Sequence, residues 1–150
     1  TGLVGQIIGE HACLAGAQGG CQAECGSASA MAAAAVTELL GGSPSQSFDA
    51  AAMAIKNSLG LVCDPVAGLV EIPCIKRNAG GVTNALTAAD MALAGIVSRI
   101  PFDDTVEAMN RVGRQLPAAL RETAAGGLAT TRTGLELAAA LQKRNQEDPA

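Results

Sequence analysis

The sequence has almost no aromatic side chains: its 150 residues include two phenylalanines but neither tyrosine nor tryptophan. Basic residues are also few, with ten lysines and arginines against fourteen acidic residues, so the formal net charge is −4. Proteins that bind nucleic acids usually combine a basic surface with aromatic side chains that stack on bases. The composition therefore argues against nucleic acid as a partner.

Long apolar runs are absent as well. The alanine-rich run from Ala28 to Val36 is short and weakly hydrophobic, and charge, Gly or Pro interrupts every longer stretch before roughly 18 apolar residues accumulate. The first residues include neither an initiator Met nor a basic signal segment, and the cysteine count is odd. We therefore predict no membrane partner and a reducing, cytoplasmic location, and we interpret the chain as a piece of a longer polypeptide.

Alanine-rich, small-faced segments alternate with Gly and Pro, a pattern that predicts an all-α fold. The expected architecture is a compact Ala/Gly-rich bundle of five to six helices, in which small residues let helix axes approach closely. The clearest predicted helices cover residues 24–40, 47–59, 82–99, 103–123 with a kink at Pro117, and 133–144. Residues 145–150 are polar and are predicted to fray. Between the helices, residues 61–81 are predicted to form one long cysteine-bearing loop, and such loops are usually functional.

The five cysteines are the most informative residues, although a single cysteine is by default a small core residue. Cys21 ends a glycine-rich turn just before an alanine-rich helix, where a thiolate is favoured. Cys63 and Cys74 both lie in the predicted long loop, Cys63 two positions before Pro65 and Cys74 directly after Pro73. Three thiols on two loops are the set that an iron–sulfur cluster with one open iron requires.

Other metal sites fit the cysteine spacing less well. Structural zinc sites favour paired C-x₂-C spacings, whereas Cys21 and Cys25 form C-x₃-C and Cys63 and Cys74 lie 11 positions apart. A zinc site using Cys21 and Cys25 on one helix face stays open as a less favoured alternative. Ferredoxin-type ligation needs four cysteines in tighter runs, which the sequence lacks.

Three strings carry a family resemblance: GGCQAECGSASAMAAAA, LGLVCDPVAGLVEIPCIKRN and LRETAAGGLATTRTG. They resemble the C-terminal half of the alpha, or catalytic, part of iron–sulfur-dependent L-serine dehydratase, so residues 1–150 are interpreted as that part of a longer catalytic domain. The resemblance implies that Cys21, Cys63 and Cys74 hold a [4Fe–4S] cluster, while Cys13 and Cys25 lie outside the ligand pattern. Some single-chain relatives end in a further cysteine, whereas this sequence ends in Asp-Pro-Ala.

The resemblance also implies a reaction and its partners. L-serine would lose water by β-elimination and yield pyruvate and ammonia, a step of amino-acid degradation and gluconeogenesis, with the open iron acting on the hydroxyl group. The expected partners are L-serine, the N-terminal half of the catalytic domain, a beta regulatory domain or subunit, and further copies of the enzyme. An exposed open iron oxidises easily, so a sample prepared in air is expected to lack the cluster.

Candidate substrate and proton-transfer residues lie close to the cysteines in the sequence. Lys76, Arg77 and Asn78 follow Cys74 directly and are candidates to bind the substrate carboxylate. The single histidine, His11, is a candidate general base.

Three other functions compete with this hypothesis. A related cysteine desulfidase-type lyase would use similar cluster chemistry, and a noncatalytic helical module or iron–sulfur redox sensor would need no substrate. A dehydratase that uses pyridoxal phosphate is disfavoured, because none of Lys56, Lys76 and Lys143 lies in a Ser-x-Lys context and no dense glycine loop of the phosphate-cradling kind precedes a helix.

Overall fold

The computed structural model describes residues 1–147, and in this range the chain forms seven α-helices. β-Pairing within the range is limited to one isolated bridge between Cys63 and Arg121. The helices are α1 Gly2–His11, α2 Gly16–Gly19, α3 Ser27–Leu39, α4 Pro44–Lys56, α5 Cys74–Leu93, α6 Phe102–Gln115 and α7 Arg132–Glu147. The predicted all-α class is confirmed. None of the helices in this range is both long and apolar enough to span a membrane.

Helices α3, α4 and α5 pack against one another around a core built largely of alanine. On α4 the side chains of Ala50, Ala51, Ala52 and Ala54 are completely buried. Because a methyl group fills little space, the backbones of neighbouring helices lie close together. The two phenylalanines, Phe48 and Phe102, contact each other with ring centroids 5.4 Å apart. The scarcity of aromatic residues is thus compatible with a tightly packed interior.

Helix α4 begins at a capping box that fixes its first turn. The Ser43 hydroxyl accepts a hydrogen bond from the Gln46 N–H, the Gln46 side chain accepts one from the Ser43 N–H, and Pro44 occupies the first helical position. This arrangement satisfies two N–H groups that a helix start otherwise leaves unpaired. The helix therefore starts earlier than the sequence pattern predicts.

The region before α3 contains one π-helical turn, Gln22–Gly26, in place of a regular helix start. The completely buried Gln22 holds this turn, since its Nε2 donates to the Met109 carbonyl at 2.9 Å and its Oε1 accepts from the Gly60 N–H at 2.9 Å. The Gln22 N–H also donates to the Leu61 carbonyl. One side chain thus ties together the turn after Cys21, the loop before Cys63 and helix α6.

The predicted loop over residues 61–81 is too long. Helix α5 begins at Cys74 and ends at Leu93, whereas the sequence pattern predicts a helix over 82–99. Gly81, which was interpreted as part of a loop, lies inside α5, where its carbonyl accepts a hydrogen bond from the Ser29 hydroxyl of α3 at 2.9 Å. The irregular segment is therefore shorter and ends at Cys74.

Other boundaries also differ from the predictions. The sequence pattern does not predict α1 or α2, and the helix expected to resume after Pro117 is only a 3₁₀ turn, Ala118–Leu120. Helix α7 extends to Glu147 and overlaps the first part of the predicted frayed tail. The rest of that tail, residues 148–150, lies outside the described residues.

Candidate metal centre

Three buried cysteines converge at one point of the fold. The Sγ atoms of Cys21, Cys63 and Cys74 all lie within 4.8 Å of one another. In the part of the chain that the structure describes, they form the one group of three or more His, Cys, Asp or Glu side chains close enough to share a metal ion. The structure therefore brings together the three cysteines that the sequence analysis selected.

Each of the three thiols is held by a different element. Cys21 lies directly before the π-helical turn, and Cys74 is the first residue of α5. Cys63 lies on an extended segment. The Cys63 N–H donates to the Leu120 carbonyl at 2.9 Å, and the Cys63 carbonyl accepts from the Glu122 N–H at 2.7 Å. Backbone hydrogen bonds to a segment far along the sequence thus fix the middle cysteine.

The other two cysteines differ from these three. Cys25 is buried and packs with Cys21, Cys63 and Cys74, but its Sγ atom does not belong to the group of three mutually close Sγ atoms. Cys13 is half-buried and lies against Gly19, where an added Cβ would come within 2.7 Å of its Sγ. This arrangement agrees with packing roles for both, and the choice of ligands stays a prediction.

Burial raises the pKa of all four clustered thiols, those of Cys21, Cys25, Cys63 and Cys74. Neighbouring cysteines raise the pKa of Cys63 and Cys74 further, whereas the Arg77 guanidinium lowers the pKa of Cys21 and Cys74 and so opposes part of the effect of burial. Without a metal the thiols are therefore held in the neutral form. A bound metal ion reverses this preference, because a coordinating thiol is deprotonated.

Arg77 links the cysteine-bearing segments. Its Nη1 donates to the Asp64 carboxylate and to the Val62 carbonyl, both at 2.7 Å, and lies 3.8 Å from the Cys21 Sγ. The Asp64 carboxylate is buried, and its second oxygen accepts from the Leu128 N–H at 2.7 Å. The sequence analysis did not select Asp64, although an acid placed between Cys63 and Pro65 in an apolar string was a visible signal.

The other two predicted substrate residues lie on the first turns of α5 but make local contacts. Lys76 is exposed, and its Nζ lies 3.4 Å from the Glu71 carbonyl. The Asn78 amide donates to the carbonyl of Cys74 at 3.1 Å. Substrate binding by Lys76, Arg77 and Asn78 stays a prediction.

A cavity of about 560 Å³ lies beside Cys25 and Arg77. Its lining comprises Cys25, Asn57, Ser58, Leu59, Gly60, Leu61, Arg77, Gly80, Gly81 and Asn84. The Asn84 side chain is fixed by donation to the Ala54 carbonyl at 2.9 Å and to the Ser29 hydroxyl at 3.0 Å, and it accepts from the Asn57 amide at 2.7 Å. Sequence reasoning missed Asn57, which no local motif marks.

The predicted base His11 lies elsewhere. His11 ends α1 and lines a separate cavity with Asp103, Asp104 and Glu107. This cavity shares no lining residue with the cavity at Cys25 and Arg77. Glu24, in contrast, reaches the cysteine site, since a Cβ added to Gly16 would lie 3.0 Å from the Glu24 Oε2 and 3.1 Å from the Cys63 Sγ. A base role for His11 stays a prediction without support from this geometry.

The donor set fits an iron–sulfur cluster. Thiolates are the usual protein ligands of such clusters, and soft sulfur ligands favour iron–sulfur, zinc or copper(I) over magnesium or calcium. The mutually close group contains three thiols and no imidazole or carboxylate. In a cluster of four irons, one iron would therefore have no protein ligand from this group.

Comparison with known proteins identifies the family. The sequence profile described as "Serine dehydratase alpha chain" matches residues 1–129, which include all three converging cysteines. The chain belongs to the serine dehydratase alpha chain family. The match also covers the paired Asp64 and Arg77 and most of the segment that contacts Cys63.

Individual relatives in this family agree with the profile. The chain is 62% identical over 137 residues to the "Probable L-serine dehydratase, alpha chain" of Bacillus subtilis (strain 168), covering 91% of this chain and 46% of the relative. It is 62% identical over 133 residues to the protein of the same name from Latilactobacillus sakei, covering 89% and 64%. Identity to the "L-serine dehydratase, alpha chain" of Peptoniphilus asaccharolyticus is 59% over 134 residues, covering 89% and 46%. The chain thus spans about half to two thirds of the length of these relatives.

Proposed function

We propose that this chain carries the [4Fe–4S] centre of an L-serine dehydratase, an enzyme that converts L-serine to pyruvate and ammonia. The observation that carries the proposal is the convergence of the Cys21, Cys63 and Cys74 thiols within 4.8 Å of one another. Membership of the serine dehydratase alpha chain family and the serine dehydratase names of the relatives support the choice of reaction.

Cys21, Cys63 and Cys74 would hold the cluster, which when bound supplies a Lewis acid for the departing hydroxyl group of serine. The cavity lined by Cys25 and Arg77 has room for a small amino acid, and Asn57, Ser58 and Asn84 add neutral amide and hydroxyl groups to its lining. Such groups suit the zwitterion of serine, because the guanidinium matches a carboxylate and amide oxygens accept from an ammonium group. Of the three predicted substrate residues, Arg77 lines this cavity.

Elimination also requires a base that removes the α-proton of serine. Glu24 is a candidate, since its carboxylate and the Cys63 thiol both lie close to the point that a Cβ on Gly16 would occupy, at 3.0 and 3.1 Å from it. Its Oε2 would accept the α-proton and return it to the departing hydroxide, which would leave as water. The aminoacrylate formed rearranges to an imine, which water hydrolyses to pyruvate and ammonia. His11 is the second candidate, and substitution of each residue separates them.

The complete enzyme is proposed to include more than this chain. The relatives are about one and a half to two times as long as the matched region and are named alpha chains. We propose that an N-terminal half of the catalytic domain completes the substrate pocket, that a beta domain or subunit has a regulatory role, and that the enzyme is a cytoplasmic homo-oligomer.

Anaerobic reconstitution with iron and sulfide tests the proposal in the complete enzyme. The wild type should take up iron and sulfide and show the broad visible absorption of a cluster, and Cys63→Ala should lose both. Cys25→Ala is the matched control. Cys25 is buried and packs with the three proposed ligands, but its Sγ atom is not part of their mutually close group. A colourless wild type, or equal iron in wild type and Cys63→Ala, would reject the cluster.

Product measurements separate the alternative functions. A serine dehydratase should release ammonia and pyruvate from L-serine faster than it releases sulfide from L-cysteine. A preference for L-cysteine would favour the desulfidase-type lyase, and a cluster without turnover of either amino acid would favour the redox sensor. Exposure to air should remove the cluster and abolish turnover together.

A further inference from the structure

One buried acid near the cysteines has no place in the proposed elimination reaction. The Asp64 side chain is only 3% exposed, and both of its carboxylate oxygens are used. One oxygen accepts from Arg77 Nη1 and the other from the Leu128 N–H, each at 2.7 Å. A buried carboxylate requires such partners, because loss of one leaves an uncompensated charge. Asp64 therefore joins the segment of Cys63 both to helix α5 and to the segment before α7.

The Arg77 contacts reach all three cysteine-bearing segments. Its Nη1 bonds to the carbonyl of Val62 and the carboxylate of Asp64, the two residues on either side of Cys63. The same nitrogen lies 3.8 Å from the Cys21 Sγ, within hydrogen-bond range for sulfur. Arg77 itself lies on the first turn of α5, three positions after Cys74. A single guanidinium nitrogen is thus fixed relative to each of the three thiols.

The third sequence string also contacts Cys63 and Asp64. Leu120 and Glu122 bond the backbone of Cys63, and Gly127 lies so close to Asp64 that an added Cβ would come within 2.8 Å of three atoms of its side chain. Gly127 also has a φ of +60°, which disfavours any residue with a side chain. The string LRETAAGGL, unassigned by the sequence analysis, thus packs around Cys63 and Asp64.

We infer that Asp64 and Arg77 are positioning residues for the metal centre. These two residues set how tightly the centre holds iron, and they set its reduction potential. The inference rests on the proposed function, since it presumes that the three thiols bind the cluster. Residues that orient metal ligands typically change metal affinity by roughly 10- to 100-fold when replaced. Hydrogen bonds and positive charge at the sulfurs stabilise the reduced cluster, so the Arg77 guanidinium raises the reduction potential.

A substrate-binding role for Arg77 predicts a different result. If the guanidinium served only to bind the serine carboxylate, its loss would raise KM and leave the cluster unchanged. If it positions the centre, its loss changes the cluster even in the absence of serine. Measurements on the reconstituted enzyme without substrate therefore separate the two roles.

The test compares Arg77→Met, Arg77→Lys and Asp64→Asn in the complete, anaerobically reconstituted enzyme. Arg77→Met keeps most of the stem without the charge, Arg77→Lys keeps the charge without the planar fork, and Asp64→Asn releases Arg77 without changing it. Arg111→Met is the control, because Arg111 forms an exposed ion pair with Glu107 on α6. The readouts are the rate of iron transfer to a chelator, the midpoint potential from a redox titration, and KM for L-serine.

We expect Arg77→Met to release iron about tenfold faster than wild type and to have a more negative midpoint potential. Arg77→Lys should be intermediate, Asp64→Asn should shift iron release in the same direction, and Arg111→Met should match wild type. Iron release and potential equal to wild type in Arg77→Lys and Asp64→Asn would overturn the inference even if Arg77→Met does not fold. A raised KM with an unchanged cluster would also overturn it. Failure of the wild type to bind a cluster would instead reject the proposed function.

Discussion

The contact between Gly127 and Asp64 allows a quantitative prediction for Gly127→Ala. A Cβ at this position would overlap the Asp64 Oδ2, so the buried carboxylate must move. Movement breaks the hydrogen bond from the Leu128 N–H, which as a bond to a charged group is worth about 1.5–3 kcal/mol. The positive φ adds about 1 kcal/mol for any residue with a Cβ. We expect Gly127→Ala to lower the free energy of unfolding by roughly 3 kcal/mol.

Gly95→Ala is the matched control, since Gly95 has a φ of +86° but open space around an added Cβ. It should cost only the backbone part, about 1 kcal/mol. Urea denaturation followed by circular dichroism measures both changes, and at a slope of roughly 2 kcal/mol per molar the Gly127→Ala midpoint should fall by about 1.5 M. Equal midpoint shifts for the two variants would refute the argument that residue 127 is packed against the Asp64 carboxylate.

Two further predictions concern proton transfer and the free thiols. Glu24→Gln should lower kcat for L-serine by about 100-fold or more with unchanged iron content; if kcat falls in His11→Ala and not in Glu24→Gln, the base is His11. In the iron-free protein at pH 8, the thiols of Cys21, Cys63 and Cys74 should be alkylated more slowly than that of Cys13, because burial raises their pKa and reduces the thiolate fraction. Mass spectrometry of the alkylated peptides measures the order in which the thiols react. Equal rates in the folded protein would contradict the burial of these three thiols.

The sequence was sufficient to select the three converging cysteines because local signals mark them. Cys21 follows two glycines, and Cys63 and Cys74 lie within two positions of prolines in an apolar string. The family resemblance then excluded Cys13 and Cys25, which the spacing alone did not. Asp64 was missed because no local pattern pairs it with Arg77, which lies on the next helix, or with the Leu128 N–H, which lies 64 positions along the chain.

Helix prediction failed where tertiary contacts outweigh local propensity. Gly80 and Gly81 indicate a break, yet α5 runs through them, and the Gly81 carbonyl accepts a hydrogen bond from the Ser29 hydroxyl of α3. The π-helical turn after Cys21 depends on the buried Gln22, whose side chain bonds to Met109 far along the chain. In contrast, α6 is strongly amphipathic and its start near Asp103 and Asp104 was predicted within one residue.

The separation of the three thiols along the chain has a consequence for the lifetime of the protein. Binding one cluster through Cys21, Cys63 and Cys74 would close loops of 42 and 11 residues, as covalent crosslinks do. Binding energy at such a site also stabilises the folded state, because the unfolded chain does not preform the site. Under the proposed function, iron supply would then govern turnover of the polypeptide as well as catalysis. Limited proteolysis should cleave the iron-free form faster than the reconstituted form, and equal rates would argue against this coupling.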